Sequence, residues 1–80
     1  MFKTFVITAK AENVLRVLQR LTSLMTRKQL KAVEMHFAES SVQQESLLTL
    51  TLHAQEKDVE WLMKQLGNFV DLFDLSIINN

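Results

Sequence analysis

The sequence predicts a small α+β domain whose elements follow the order βαββαβ. Three observations predict it. Four segments alternate apolar and polar residues with the period of two that a strand imposes. Two segments between them change to the three-to-four spacing of an amphipathic helix. The chain has 80 residues with no proline and one glycine, so little interrupts these patterns. One apolar face per strand and one apolar stripe per helix are best buried by two helices on one face of a four-stranded antiparallel sheet, the ferredoxin-like arrangement.

The first strand runs from Phe2 to Ala11, with Phe5, Ile7 and Ala9 on one face and Thr4, Val6, Thr8 and Lys10 on the other. Asn13 reads as a helix N-cap whose side-chain oxygen accepts from a first-turn amide. Val14, Val17, Leu18, Leu21, Leu24 and Met25 then form one stripe, opposite Arg16, Gln19, Arg20, Ser23 and Arg27. The helix ends near Lys28 or Gln29, where basic residues suit the negative end of its dipole. From Leu30 the period returns to two, placing Val33, Met35 and Phe37 against Glu34, His36 and Ala38. Polar Glu39 to Glu45 reads as a hairpin loop. Leu48, Leu50 and Leu52 then alternate with Thr49, Thr51 and His53. The second helix covers about Gln55 to Leu66 with the stripe Val59, Leu62, Met63 and Leu66, and Gly67-Asn68 ends it through a left-handed cap. The last strand sets Phe73, Leu75 and Ile77 against Leu72, Asp74, Ser76 and Ile78.

At this length residues 1–80 form one domain that is marginal alone, which points to self-association. The absence of cysteine removes thiolate metal sites and thiol nucleophiles. Nine basic residues balance nine acidic ones, a poor match to the basic surface nucleic acid demands. No apolar run reaches the roughly 20 residues of a membrane span, and the N-terminus lacks a targeting pattern. A cytoplasmic protein without nucleic-acid or membrane partners is expected.

Reactive chemistry is poorly supplied. Gly67 follows a helix rather than preceding one, so no glycine loop cradles phosphate. Val6, Thr8, Thr49 and Thr51 stand where RNA-binding sheets place aromatic residues. The serines (Ser23, Ser40, Ser41, Ser46, Ser76) have no evident base. Pairing across the hairpin sets His36 opposite about Leu48, away from His53, so neither a shared metal nor a catalytic residue is expected. Glu34 is either a solvated position on the outward sheet face, the plainer reading, or part of an edge strand that pairs with a second copy. Trp61 falls opposite its helix stripe, among Lys57, Asp58, Lys64 and Gln65. It either anchors a partner or folds over the stems of Lys57 and Lys64.

The order of elements, with a polar turn into the first helix, resembles the ACT domain. More closely, the chain is similar to the small regulatory subunit of acetohydroxyacid synthase (acetolactate synthase), of the short single-domain type. The stretch Gln65-Leu66-Gly67-Asn68-Phe69-Val70-Asp71-Leu72-Phe73-Asp74-Leu75 is similar to that family's Gln-Leu-x-Lys-Leu-Val-Asp-Val run into a hydrophobic strand. Arg20-Leu21, Leu24-Met25 and Arg27-Lys28 resemble its Arg-Val, Leu-Phe and Arg pattern, and Met35-His36-Phe37-Ala38 falls on its second strand.

The resemblance implies a non-catalytic subunit that binds and activates the large, catalytic subunit at the entry to branched-chain amino-acid synthesis. It implies no cofactor on this chain; thiamine diphosphate, magnesium and FAD belong to the catalytic subunit. It implies a homodimer paired through the edge strand containing Lys31, Ala32, Val33, Glu34 and Met35. It also implies a branched-chain amino acid, usually valine, as effector at the loop Asn13, Val14, Leu15 and Arg16. Departures weaken that last expectation. Arg16 stands where the family has a glycine, whose bare backbone lets a ligand carboxylate reach the helix amides. Gln29 replaces a second glycine and Lys31 an asparagine. Weak or absent valine feedback is therefore expected. The alternatives are a stand-alone ACT-like sensor of amino acids and a protein-interaction module.

Overall fold

The computed structural model describes residues 2–39 and 45–79, the side chains of Val33 and Asn79 excepted. Its elements are β1 (Phe2–Ala11), α1 (Val14–Lys28), β2 (Lys31–Glu39), β3 (Ser46–Gln55), α2 (Glu56–Leu66) and β4 (Leu72–Asn79). The strands form one antiparallel sheet in the order β2-β3-β1-β4. This is the ferredoxin-like α+β architecture that the periodicities predict. The hairpin loop expected at Glu39 to Glu45 falls largely on residues 40–44, outside the described residues.

The two central strands supply the sheet's share of the core. Phe5 faces Leu52, Ile7 faces Leu50 and Ala9 faces Leu48, all buried beneath the helices. Leucine is a mediocre strand former, but burial on a two-layer core outweighs its intrinsic preference. From above, α1 presents Val17, Leu21 and Met25 and α2 presents Val59, Leu62 and Leu66.

Both edge strands depart from strict alternation, and each departure is a bulge. In β2, Ala32 pairs with Leu52 and Glu34 with Thr51, leaving Val33 as the extra residue. Ala32 therefore takes the register position expected of Val33, whose side chain lies outside the described residues. His36 pairs with Thr49 rather than Leu48, in the register that runs unbroken from Glu39 opposite Ser46 to Glu34 opposite Thr51. In β4, Ser76 pairs with Thr8 and Phe73 with Lys10, so two residues oppose Ala9. Asp74 absorbs the mismatch in the left-handed region (φ 55) and lies 3.4 Å from the Lys10 ammonium. Aspartate tolerates this conformation better than most residues, and such a bulge reverses side-chain direction beyond it. Consequently Leu72 is buried, and Phe73 joins Lys10 on the outward face, the reverse of the simple alternation.

The helix ends show what the sequence encodes locally. After α1, Gln29 adopts the left-handed conformation (φ 56, ψ 38). Its N–H donates to the Thr26 carbonyl (3.1 Å), and that of Leu30 donates to Met25 (2.9 Å). This is a Schellman ending with glutamine where glycine is usual. Gly67, by contrast, is right-handed (φ −63, ψ −18), correcting the expected left-handed cap. The chain there tightens into a three-residue turn: Asn68 N–H donates to Gln65 and Phe69 N–H to Leu66, both at 3.1 Å. That turn inserts Phe69 into the core, and the backbone needs no positive φ to make it.

Candidate functional site

The β1–α1 loop holds Asn13, Val14, Leu15 and Arg16 around a shallow, open depression. Asn13 does not cap α1 as expected. Its backbone is left-handed (φ 49, ψ 61), and its side chain makes no capping bond. A capping residue needs an extended backbone to fold its side chain over the first turn, which Asn13 lacks. Instead its Nδ2 donates to the Asp71 Oδ1 at 3.2 Å, while its carbonyl accepts from the Val17 N–H at 3.1 Å.

Asp71 organises this end of the molecule. It is the one buried charged residue among the described residues. Its carbonyl accepts from the Glu12 N–H at 2.8 Å, so the α2–β4 connection is bonded to the end of β1. Arg16 extends from the first turn of α1 and brings Nη1 to 3.9 Å from the Asp71 Oδ2. The guanidinium thus faces a carboxylate of its own chain. Leu15 and Val70, adjacent in sequence to these two residues, are almost fully exposed, at 78% and 85%. In the sequence Asp71 falls within the family-like stretch with no role assigned to it. A charged residue amid Phe69, Val70 and Leu72 is the signal that could have identified it.

The remaining candidates lie elsewhere. Lys31, Ala32, Glu34 and Met35 are on β2, an edge strand with one hydrogen-bonded neighbour. Trp61 is half-buried and packs against the core. The Lys28 Nζ lies 5.2 Å from its ring centroid, so the covering cation comes from the end of α1. His53 stacks on Phe2 with ring centroids 5.5 Å apart and pairs with Thr4 and Lys31. His36 lies opposite Thr49, four residues along β3, or about 13 Å. Among the described residues no group of three or more histidine or acidic side chains is placed to hold a metal. No helix there is long and apolar enough to cross a membrane.

No protein-family model matches this chain. None of the curated proteins compared matches it either. Solved structures do. The C-terminal domain of the MgtC protein from Mycobacterium tuberculosis superposes with a TM-score of 0.80 at 8% identity, covering 99% of this chain and 88% of that one. The acetolactate synthase small subunit from Thermotoga maritima gives 0.74 at 17% identity, covering 96% of this chain and 47% of that one. A homoserine dehydrogenase from Thiobacillus denitrificans gives 0.77 at 15%, with 99% of this chain matching 17% of that one. The fold is ACT-like.

At these identities the likeness establishes the shape of the ACT-like domain and nothing finer. Within that shape, the two stretches that carry the sequence resemblance, separated by more than a full strand pair, face each other. Arg20, Leu24 and Arg27 of α1 line one side of a cleft, and Gln65, Asn68 and Phe69 the other.

Proposed function

We propose that the chain is a non-catalytic, activating small subunit of an acetolactate synthase, acting in branched-chain amino-acid biosynthesis. The observation that carries this reading is the match of nearly its whole length to an acetolactate synthase small subunit, joined to the family-like runs at Arg20–Lys28 and Gln65–Leu75. Such a chain needs no cofactor of its own; the thiamine diphosphate, magnesium and FAD of the reaction belong to the large subunit. The deciding experiment is co-expression with the large subunit of the same organism, then an acetolactate-forming assay with and without this chain. Co-purification and a raised rate are expected. An unchanged rate with no complex refutes the reading.

Valine feedback in this reading is weak. Arg16 occupies the place where a bare glycine would admit an effector carboxylate, and it faces Asp71. Calorimetry showing micromolar valine binding would overturn this. The chain pairs as a homodimer through β2, whose edge N–H and C=O groups are otherwise left to water. Such an interface adds on the order of 800 Å² of burial per copy. Light scattering at micromolar concentration tests it, and a monomer there is the contrary result.

A second reading is favoured by the match to part of a homoserine dehydrogenase: an ACT-like amino-acid sensor or interaction module serving another protein. Thermal-shift assays with valine, leucine and isoleucine separate the two. The small-subunit reading expects little shift from the isolated chain.

A further inference from the structure

We infer that the cleft between α1 and α2 receives an acidic polypeptide segment of the catalytic subunit, its carboxylates pairing with Arg20 and Arg27; this inference rests on the small-subunit reading. The first support is charge. Helix α1 carries Arg16, Arg20, Arg27 and Lys28 and no acidic residue, whereas the other 65 residues carry five bases and nine acids. A neutral chain therefore has four of its nine bases, and none of its acids, on one helix. At about 100° per residue, Arg16, Arg20, Ser23 and Arg27 fall within an arc of about 60°. They form a stripe beside the apolar one.

The second support is that two of these arginines are in no ion pair among the described residues. Among the described residues the ion pairs are Lys10 with Asp74 and Arg16 with Asp71. Neither pair includes Arg20 or Arg27. Three of the last four carbonyls of α2 already have backbone donors. The Met63, Gln65 and Leu66 carbonyls accept from Gly67, Asn68 and Phe69, and Lys64 supplies a cation in the last turn. The Arg20 guanidinium lies 4.3 Å above the centre of the Phe69 ring, which is itself buried. A cation–π contact of this kind anchors the guanidinium and still leaves N–H groups that can donate to a carboxylate. Ser23, Gln65 and Asn68 add hydrogen-bonding groups around a space of about 380 Å³.

The third support selects the occupant. Seven residues of helix separate Arg20 from Arg27, a rise of about 10 Å. Arginines kept apart at that spacing meet two acidic side chains three residues apart on an extended segment or seven apart on a helix. A protein segment bearing paired acids fits the spacing.

The test titrates the large subunit with wild-type chain, the double variant Arg20→Gln/Arg27→Gln, the charge-conserving Arg20→Lys/Arg27→Lys, and the control Lys3→Gln/Lys57→Gln, each checked for folding by circular dichroism. The control removes the same charge from exposed positions elsewhere. The glutamine double variant is expected to raise the half-saturating concentration by about tenfold or more at low salt, with the lysine variant between it and wild type. The gap should shrink at about 0.5 M salt, where charge pairs are screened. The control should stay within about twofold of wild type. If wild type activates and the glutamine variant matches it, the inference is wrong and the small-subunit reading stands. If the control loses as much as the glutamine variant, general charge rather than the cleft is responsible, and the inference again fails. If wild type neither binds nor activates, the small-subunit reading falls and the inference falls with it.

Discussion

Removing the Asp71 carboxylate is the sharpest test of how the two loops at the β1–α1 end are held together. In Asp71→Ala, the hydrogen bond from Asn13 Nδ2 at 3.2 Å is lost. Bonds to a charged acceptor contribute about 1.5–3 kcal/mol, but Asn13 is exposed and its amide can turn to water, which argues for the low end. The Arg16 contact at 3.9 Å adds little, since the arginine side chain is 65% exposed and such pairs contribute about 0–1 kcal/mol. Relief of the buried charge offsets part of the loss. The expected cost is about 1–2 kcal/mol, or about 5–15 °C in Tm for a chain of this size. Urea denaturation of the single variants and of the doubles Asn13→Ala/Asp71→Ala and Arg16→Ala/Asp71→Ala gives the two coupling energies directly. About 1 kcal/mol is expected for Asn13 with Asp71, and under about 0.5 kcal/mol for Arg16 with Asp71. An Asn13–Asp71 coupling within the additivity scatter of about 0.3 kcal/mol would refute the reasoning.

Other substitutions test the backbone and core. Gln29→Gly should stabilise by about 0.5–1 kcal/mol. A left-handed non-glycine residue costs roughly 1–2 kcal/mol, and glycine returns about half of that through unfolded-state entropy; a loss of stability in thermal melts would contradict the Schellman ending. Gly67→Ala should be neutral or stabilising by up to about 1 kcal/mol, because an added Cβ meets the Lys64 and Met63 carbonyls at an ordinary 3.5 Å. Destabilisation by that change would mean that the residue visits positive φ. Leu50→Ala, at a fully buried position on β3, should cost about 2–5 kcal/mol, a large share of the stability of an 80-residue chain. Chemical denaturation retaining most of the wild-type midpoint would show that the core lies elsewhere.

The order of elements was legible because burial enforces it: each strand and helix must show the core one apolar face, and Phe5, Ile7, Leu48, Leu50 and Leu52 do so with the period of two. The faces of Leu72 and Phe73 were not legible. Both are apolar, so the pattern reads equally well in either phase, and only the turn of Asp74 into the left-handed region decides between them. Gly67 misled for a related reason. Glycine permits a left-handed cap without requiring one, whereas Gln29, a residue that disfavours the conformation, adopts it because the Schellman bonds and the Leu30 packing hold it there. At the candidate site, Asn13 is common both at N-caps and in left-handed turns. Its choice depends on Asp71, 58 residues away, a relation that spacing along the chain cannot express.

The two bulges also bear on how the proposed contacts fit together. A bulge twists an edge strand away from a neighbour and limits the length available for pairing. In β2 the irregularity sits at Val33, near the start, and leaves Glu34 to Glu39 in unbroken register with β3. In β4 it sits at Asp74 and leaves the stretch from Ser76 onward, where Ile77 and Ile78 are exposed. An edge pair through β2 would therefore engage the Glu34–Glu39 half of that strand and continue the sheet without covering its helix face. Arg20 and Arg27 lie on the flank of α1 toward α2, with the cleft opening over Gln65 and Asn68. Pairing at β2 leaves that flank free, so both copies would present an open arginine cleft on the helix layer. Self-association and capture of an acidic segment then draw on different surfaces of one small domain. A substitution that abolishes the dimer should leave the salt-sensitive step of partner binding in place.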